Sequence, residues 1–212
     1  MTEPVVHSYP SSPNGLLSLP EEIQLSPRLA ELKEALVRLN RSSADVKVEA
    51  TVAVMLSESG GALEVLLIQR TERHDDPWSG QIGLPGGKVK GLDGSTVSAL
   101  EREVSEEVGV KLQEEGVRLG PLSLGHPMRQ TEMRVQPWVY GLRRKPLVRV
   151  GSEVADAFWV SFRDLKPNLS TSEVSVRGRT WKVESFVLNG RVVWGFTYRV
   201  LTELLQIPGV IL

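Results

Sequence analysis

The 212-residue chain contains no cysteine, which excludes disulfide bonds, thiolate metal ligands and a cysteine nucleophile. It also lacks any apolar run near the roughly 20 residues that cross a bilayer. Its first residues show no basic segment followed by an apolar one. The formal net charge is only −1, which argues against a general binder of nucleic acids or anionic membranes. We therefore expect a soluble cytoplasmic protein.

What the chain does have is 41% hydrophobic residues, enough for one sizeable core. Five prolines among residues 1–27 predict an irregular arm. A helix is predicted from Pro27 to about Asn40, packed on the core or against a partner subunit, because leucines recur at positions 29, 32, 36 and 39. The alternating pattern over residues 46–56 predicts the first strand of the body.

The rest of the chain reads as strands interrupted by one helix and closed by another. Strand patterns occupy residues 65–68, 117–124, 135–142, 154–160, 174–176, 181–188 and 191–193. Asn189-Gly190 predicts a tight hairpin turn, and residues 194–205 have helical spacing. This order indicates an α/β protein with a mixed sheet between helices.

The most informative stretch is residues 86–110, which begins with Gly86-Gly87 and a turn-rich connection. A helix follows, for which either Asp93 or Ser95 can provide the N-terminal cap. Gly109 is placed to end that helix in the left-handed conformation. Its apolar stripe consists of Val97, Leu100, Val104 and Val108.

Beside that stripe, Glu103, Glu106 and Glu107 stand at i, i+3 and i+4, so their carboxylates are neighbours on the helix surface. They repel one another and also meet the negative end of the helix dipole, with only Arg102 nearby to offset the charge. Three such glutamates alone favour a solvated acidic face. The other interpretation is a site for Mg²⁺ or Mn²⁺, which prefer oxygen ligands.

The whole stretch resembles the Nudix box, whose pattern is G-x5-E-x7-R-E-U-x-E-E-x-G-U, where U is aliphatic. The matching residues are Gly87, Arg102, Glu103, Val104, Glu106, Glu107, Gly109 and Val110. Asp93 replaces a glutamate of the pattern, and one extra residue separates it from Arg102. The resemblance implies an α/β/α sandwich over residues 46–212, with residues 1–45 as an arm and helix packed on it.

The resemblance also implies an activity: metal-dependent hydrolysis of the pyrophosphate bond in a nucleoside diphosphate linked to another group. It assigns Gly87, Glu103, Glu106 and Glu107 to the metal, and Arg102, Glu103 and Glu106 to catalysis, with Arg102 orienting a carboxylate. The general base stays open among Glu103, Glu106, Glu132, Glu153 and His126.

Residues 66–71 and 80–87 resemble the signature that precedes the box in the coenzyme A pyrophosphatase branch, LLTxR followed by FPGG. The sequence departs from it at Ile68, Thr71 and Leu84 and has a longer gap between Arg70 and Gly80. We therefore expect coenzyme A or a derivative as substrate. ADP-ribose or another ADP-X compound, an oxidised nucleoside triphosphate, and a non-catalytic nucleotide-binding module are the alternatives.

Four residues ahead of the box are predicted to contact the substrate: Arg70, Arg73, Trp78 and Gln81. Guanidinium groups match phosphate oxygens, and a tryptophan can stack on a base. Arg70 fits a salt bridge at the end of a strand equally well, and Trp78 fits a plug at the edge of the core. A homodimer stays open, through either the 27–40 helix or the apolar C-terminal tail.

Overall fold

The computed structural model describes residues 24–39, 46–74, 76, 78–128, 132–176 and 178–210. The predicted arm up to residue 23, the predicted helix end at Asn40 and the last two residues of the tail fall outside these ranges. Within them, no helix combines the length and apolar character needed to span a membrane.

The main sheet contains seven strands, arranged mostly in the order β3-β2-β1-β6-β5. They are β1 (Ala50–Ser59), β2 (Ala62–Arg70), β3 (Ile82–Gly83), β4 (Gly86–Lys88), β5 (Gly116–Pro121), β6 (Val135–Leu142) and β7 (Val154–Ser161). β1 runs parallel to β6 and antiparallel to β2 and β4, so the sheet is mixed, as predicted. β2 pairs with β1 only as far as Val65, and β4 pairs with the beginning of β1.

A second, three-stranded antiparallel sheet has the order β10-β9-β8. It contains β8 (Leu169–Val176), β9 (Arg179–Leu188) and β10 (Arg191–Trp194). The turn at Asn189-Gly190 has two positive φ angles, 48° and 80°, which confirms the predicted hairpin. The sequence pattern predicted the hairpin strands but not their separation from the main sheet.

In the described part of the chain, five helices accompany the sheets. They are α1 (Pro27–Leu39), α2 (Thr96–Val108), α3 (Leu112–Glu115), α4 (Phe162–Leu165) and α5 (Gly195–Leu205), and a 3₁₀ turn spans Lys166–Asn168. The three longer helices agree with the predictions, whereas α3 and α4 are single turns whose periodicity is too short to recognise.

Several predicted strand limits were wrong, among them the starts of β2 (Ala62 rather than residue 65) and β8 (Leu169 rather than residue 174). Two others follow the pairing of the strands. The first strand begins at Ala50 rather than at residue 46, because its pairing begins there. Ala50 lies opposite Lys88, the last residue of the antiparallel β4, and opposite Val135, the first residue of the parallel β6. The fifth strand, β5, ends at Pro121, where its pairing with β6 stops, and not at residue 124. In both places an apolar alternation continues beyond the partner strand.

Buried side chains form two clusters, one on each face of the main sheet. Along β1, Val54 and Leu56 belong to the cluster with α1 and α5, whereas Ala53 and Met55 belong to the cluster with α2. The three buried leucines of α1 (Leu29, Leu32 and Leu36) are part of the first cluster, so this helix packs on the core. The layers are helix, sheet and helix, which is the predicted sandwich.

Candidate active site

The glycine pair at β4 makes two close approaches possible. Gly86 has φ 144°, and a Cβ atom there would lie 2.2 Å from the carbonyl oxygen of Thr51, because β4 presses against β1. A Cβ atom on Gly87 would lie 2.5 Å from the carboxyl carbon of Glu103. Gly86 therefore allows β4 to pair closely with β1, and Gly87 leaves space for the side chain of Glu103 on α2.

The two ends of α2 are held by different devices. Ser95 is the N-cap and accepts a hydrogen bond from the Ser98 amide at 3.0 Å, and Gly109 ends the helix with φ 70°. The last turn has no basic side chain. Its carbonyl groups instead accept from the next segment, since the Arg149 amide donates to Val108 and the Gly151 amide to Glu107, both at 2.9 Å.

Asp93, the other predicted cap, has a different role. Its carboxylate accepts two hydrogen bonds from Arg102, at 2.7 and 3.0 Å, and one from the Lys90 amide. The hydrogen bonds from Arg102 are the main reason that the pKa of Asp93 falls to about 2. Arg102 also donates to Glu103 at 2.6 Å and to Glu106 at 3.3 Å. It thus joins the connection before α2 to two of the three glutamates.

The three glutamates occupy very different surroundings. Glu107 is 4% exposed and accepts a hydrogen bond from the Gly86 amide at 2.8 Å. The side chain of Glu103 is 14% exposed, and that of Glu106 is 58% exposed. Besides Arg102, two further cations lie near them: Arg70 is 3.6 Å from Glu107, and Lys90 is 3.5 Å from Glu103. The helical pattern predicted that the three carboxylates are neighbours, and the structure shows that their burial differs.

Burial raises the pKa of Glu107 to about 7. The negative charges of Glu103 and Glu153 contribute to this rise, whereas the hydrogen bond from the Gly86 amide and the charge of Arg70 oppose it. Among the described residues, no three acidic or histidine side chains already converge in a metal-ligating arrangement. The carboxylates of Glu103 and Glu106 are instead paired with cationic side chains, of which Lys90 is exposed.

These glutamates border a cavity of about 750 Å³, a volume typical of sites for small molecules. We call Gly86, Gly87, Glu103, Glu106 and Glu107 the acidic part of its lining. We call a second group of lining residues the apolar part: Pro127, Met128, Met133, Val176, Trp194 and Phe196. Apolar residues of the main sheet and of the segment before β4 line the cavity as well: Ala50, Val52, Ile82, Leu84 and Val135. Lys88 and Lys90 also line the cavity and supply positive charge beside the acidic part.

Three of the four predicted substrate residues line this cavity: Arg70, Trp78 and Gln81. Arg70 also forms the predicted alternative, a salt bridge, since its Nε and Nη2 atoms donate to Asp76 at 3.0 and 2.8 Å. Arg73 is not part of the lining, and its guanidinium lies 3.4 Å from Glu153.

Only some of the candidates for the general base line the cavity. Glu103, Glu106 and Glu153 line the cavity, whereas Glu132 and His126 do not. Sequence reasoning did not single out Lys88, Lys90 or the apolar part of the lining. The two lysines directly follow the glycine pair, which is a usable signal. The apolar residues are scattered along the chain and had no local signal.

The model of the NUDIX domain family matches residues 47–177, which is more than half of the chain, so the chain belongs to this family. An uncharacterised protein of Schizosaccharomyces pombe is 49% identical over 51 residues. That match covers 24% of this chain and 16% of the yeast protein, so this chain matches only a small part of that protein's length.

Several solved structures are similar to parts of this chain. An Ap4A hydrolase binary complex from C. elegans has 21% identity and a TM-score of 0.46, and covers 56% of this chain and 82% of that chain. A MutT/nudix family protein from Enterococcus faecalis has 17% identity and a TM-score of 0.47, and covers 88% and 79%. The NUDIX domain of Shewanella oneidensis NrtR, complexed with ADP ribose, has 24% identity and a TM-score of 0.42, and covers 62% and 84%.

Proposed function

We propose that residues 46–212 form a divalent-metal-dependent hydrolase that cleaves the pyrophosphate bond of a nucleoside diphosphate linked to another group. The supporting observation is the acidic part of the cavity, where Glu103, Glu106 and Glu107 lie beside the glycine corner of β4. A purely structural acidic face would be solvated. Here Glu107 is buried and bound to the Gly86 amide, although its burial is unfavourable for the charged form.

The donor atoms suit Mg²⁺ or Mn²⁺, since carboxylate and carbonyl oxygens are the ligands these ions prefer. The residues that would hold the ion are Glu103, Glu106, Glu107 and, through its carbonyl group, Gly87. The missing Cβ of Gly87 leaves the space that the Glu103 carboxylate occupies beside the main chain. The bound ion would neutralise the negative charge of the pyrophosphate.

The side chains divide the remaining work. Arg102, held by Asp93, orients Glu103 and is a positioning residue. The Gly86 amide fixes Glu107 in the same way. Glu106 is the most exposed acid of the three and borders the cavity, so it is suited to accept a proton from the attacking water. Glu103 and Glu153, which also border the cavity, are the other candidates for this proton transfer.

For the substrate we propose coenzyme A or a derivative. The resemblance of residues 66–71 and 80–87 to the coenzyme A branch supports this choice. The size of the cavity and its apolar part also suit a substrate with a large organic group. We propose five residues of the lining as contacts for this substrate: Arg70, Trp78, Gln81, Lys88 and Lys90. ADP-ribose and oxidised nucleoside triphosphates are the competing substrates.

The test is mass spectrometry of the products formed from coenzyme A, ADP-ribose, NADH, diadenosine polyphosphates and oxidised dGTP, with Mg²⁺ or Mn²⁺. Hydrolysis of coenzyme A should yield adenosine 3′,5′-bisphosphate and 4′-phosphopantetheine, and a chelator should stop it. Preferred turnover of another compound would correct the substrate. Nucleotide binding without any product would instead indicate the non-catalytic module.

A further inference from the structure

Arg199 lies outside the cavity lining but contacts two of the segments that form its apolar part. On α5, its guanidinium carbon is 5.0 Å from the centre of the Phe196 ring. Its Nη2 atom donates to the Ser123 carbonyl at 3.1 Å. Glu203, one turn further along α5, accepts from the Ser123 amide at 2.9 Å and lies 3.5 Å from Arg199. The two side chains thus hold both backbone groups of Ser123.

Gly125 provides the space for this guanidinium group. A Cβ atom at Gly125 would lie 2.2 Å from Nη2 of Arg199 and 2.6 Å from its Cζ. The backbone of Gly125 is itself fixed, because it exchanges two hydrogen bonds with Val135 at the start of β6, at 3.1 and 2.7 Å. Arg199 therefore rests against a stretch of main chain that cannot easily move away.

Stability alone does not account for this arrangement. Within the described residues, the Nε atom of Arg199 is buried without a hydrogen-bond partner, although its side chain as a whole is 38% exposed. A buried donor without a partner is unfavourable for folding. A lysine or an apolar residue would avoid that cost. What the planar guanidinium adds is a simultaneous contact with Phe196 and with the 123–125 backbone.

Both contacted segments lead directly to the cavity. Phe196 lines it, and so do Pro127 and Met128, which follow Gly125. We propose that Arg199 is a positioning residue that sets the apolar part of the lining and thereby the preference for the substrate's organic group. This inference rests on the proposed hydrolase function. Since no contact joins Arg199 to the acidic part of the lining, it acts on substrate binding and not on bond cleavage.

The test is a double-mutant cycle of Arg199→Met and Gly125→Ala, assayed by steady-state hydrolysis of coenzyme A and ADP-ribose. Each single variant should raise KM for the preferred substrate about tenfold and leave kcat within about twofold, because only binding geometry changes. Gly125→Ala removes no charge, and its Cβ displaces the guanidinium. The double variant should be no worse than the weaker-binding single variant, and Arg199→Lys should recover part of the loss.

Hydrogen–deuterium exchange separates this inference from the function on which it rests. The amides of residues 122–128 should exchange faster in both single variants, whether or not any substrate is turned over. Arg38→Met, at an exposed arginine of α1, is the matched control and should change neither KM nor exchange. Additive effects in the cycle, a fall in kcat at constant KM, or unchanged exchange would overturn the inference. A wild-type protein without activity would overturn only the proposed hydrolysis.

Discussion

The acidic and apolar parts of the cavity lining are assembled in different ways. The acidic part comes from β4 and α2, which are joined by one short connection, residues 89–95. The apolar part comes from the segment before β6, from the end of β8 and from the junction of β10 and α5, three places that are distant in sequence. The acidic part can therefore be recognised from a local sequence pattern, whereas the residues of the apolar part come together only when the chain folds.

This difference predicts a division of labour. Changes in the acidic part should reduce turnover of every substrate, because all candidate substrates share the pyrophosphate group. Changes in the apolar part should alter KM and the choice of substrate, because they contact only the organic group. The following substitutions test that division, from the largest expected effect to the smallest.

Glu107→Gln should reduce kcat about 10³-fold for all substrates, as the loss of one electrostatic group in an active site commonly does. The folded state should be at least as stable, because a neutral amide is less costly to bury than a carboxylate and can still accept from Gly86. Activity and thermal unfolding measured together check both statements. Glu114→Gln, at an exposed acid of α3, is the control, and an active Glu107→Gln enzyme would contradict the proposed role.

Gly87→Ala should reduce kcat about 10²-fold, since the new methyl group displaces the Glu103 carboxylate and a displacement of this size disrupts catalytic geometry. Gly91→Ala is a matched control, because a Cβ atom at Gly91 has no neighbour within 4 Å. Equal activity of the two variants in the hydrolysis assay would show that the space beside Gly87 is irrelevant.

Trp194→Ala tests the apolar part. It should raise KM several-fold to about tenfold, which corresponds to the loss of an aromatic contact worth about 0.5–1.5 kcal/mol, and should leave kcat nearly unchanged. The ratio of kcat/KM for coenzyme A and ADP-ribose should change as well. Trp181→Ala, on β9 at 41% exposure and outside the lining, is the control. A fall in kcat for every substrate would remove the distinction between the two parts.

The local pattern predicted α2 well because its signals are local. The apolar stripe, the turn before it and Gly109 all act within a few residues, and the structure confirms both helix ends. The sequence pattern left two candidates for the N-terminal cap, since both Asp93 and Ser95 suit that position. Which of the two residues caps the helix depends on Arg102 of α2, because Arg102 donates hydrogen bonds to Asp93. A side chain with a stronger partner is not available as a cap.

The unequal burial of the glutamates had no signal in the helix itself. Glu106 and Glu107 are adjacent in sequence, and only the position of β4 buries one of them and binds it through Gly86. The apolar part of the lining was out of reach for the same reason. Met128, Val176 and Trp194 belong to separate elements whose arrangement depends on how the second sheet and α5 pack on the main sheet.

The smallest expected effect concerns Asp93, which lies in the connection between β4 and α2. Hydrogen bonds from Arg102 and from the Lys90 amide lower the folded-state pKa of Asp93 to about 2, below its ordinary value of 3.8. An acid with a lowered pKa stabilises the fold above its unfolded pKa, and this contribution disappears as the pH falls through the folded pKa. Asp93→Asn should therefore be less stable than the wild type at pH about 6, and the difference should shrink towards pH about 2. Urea unfolding at several pH values measures it, and parallel stability curves for the two proteins would mean that the contact between Asp93 and Arg102 does not stabilise the folded state.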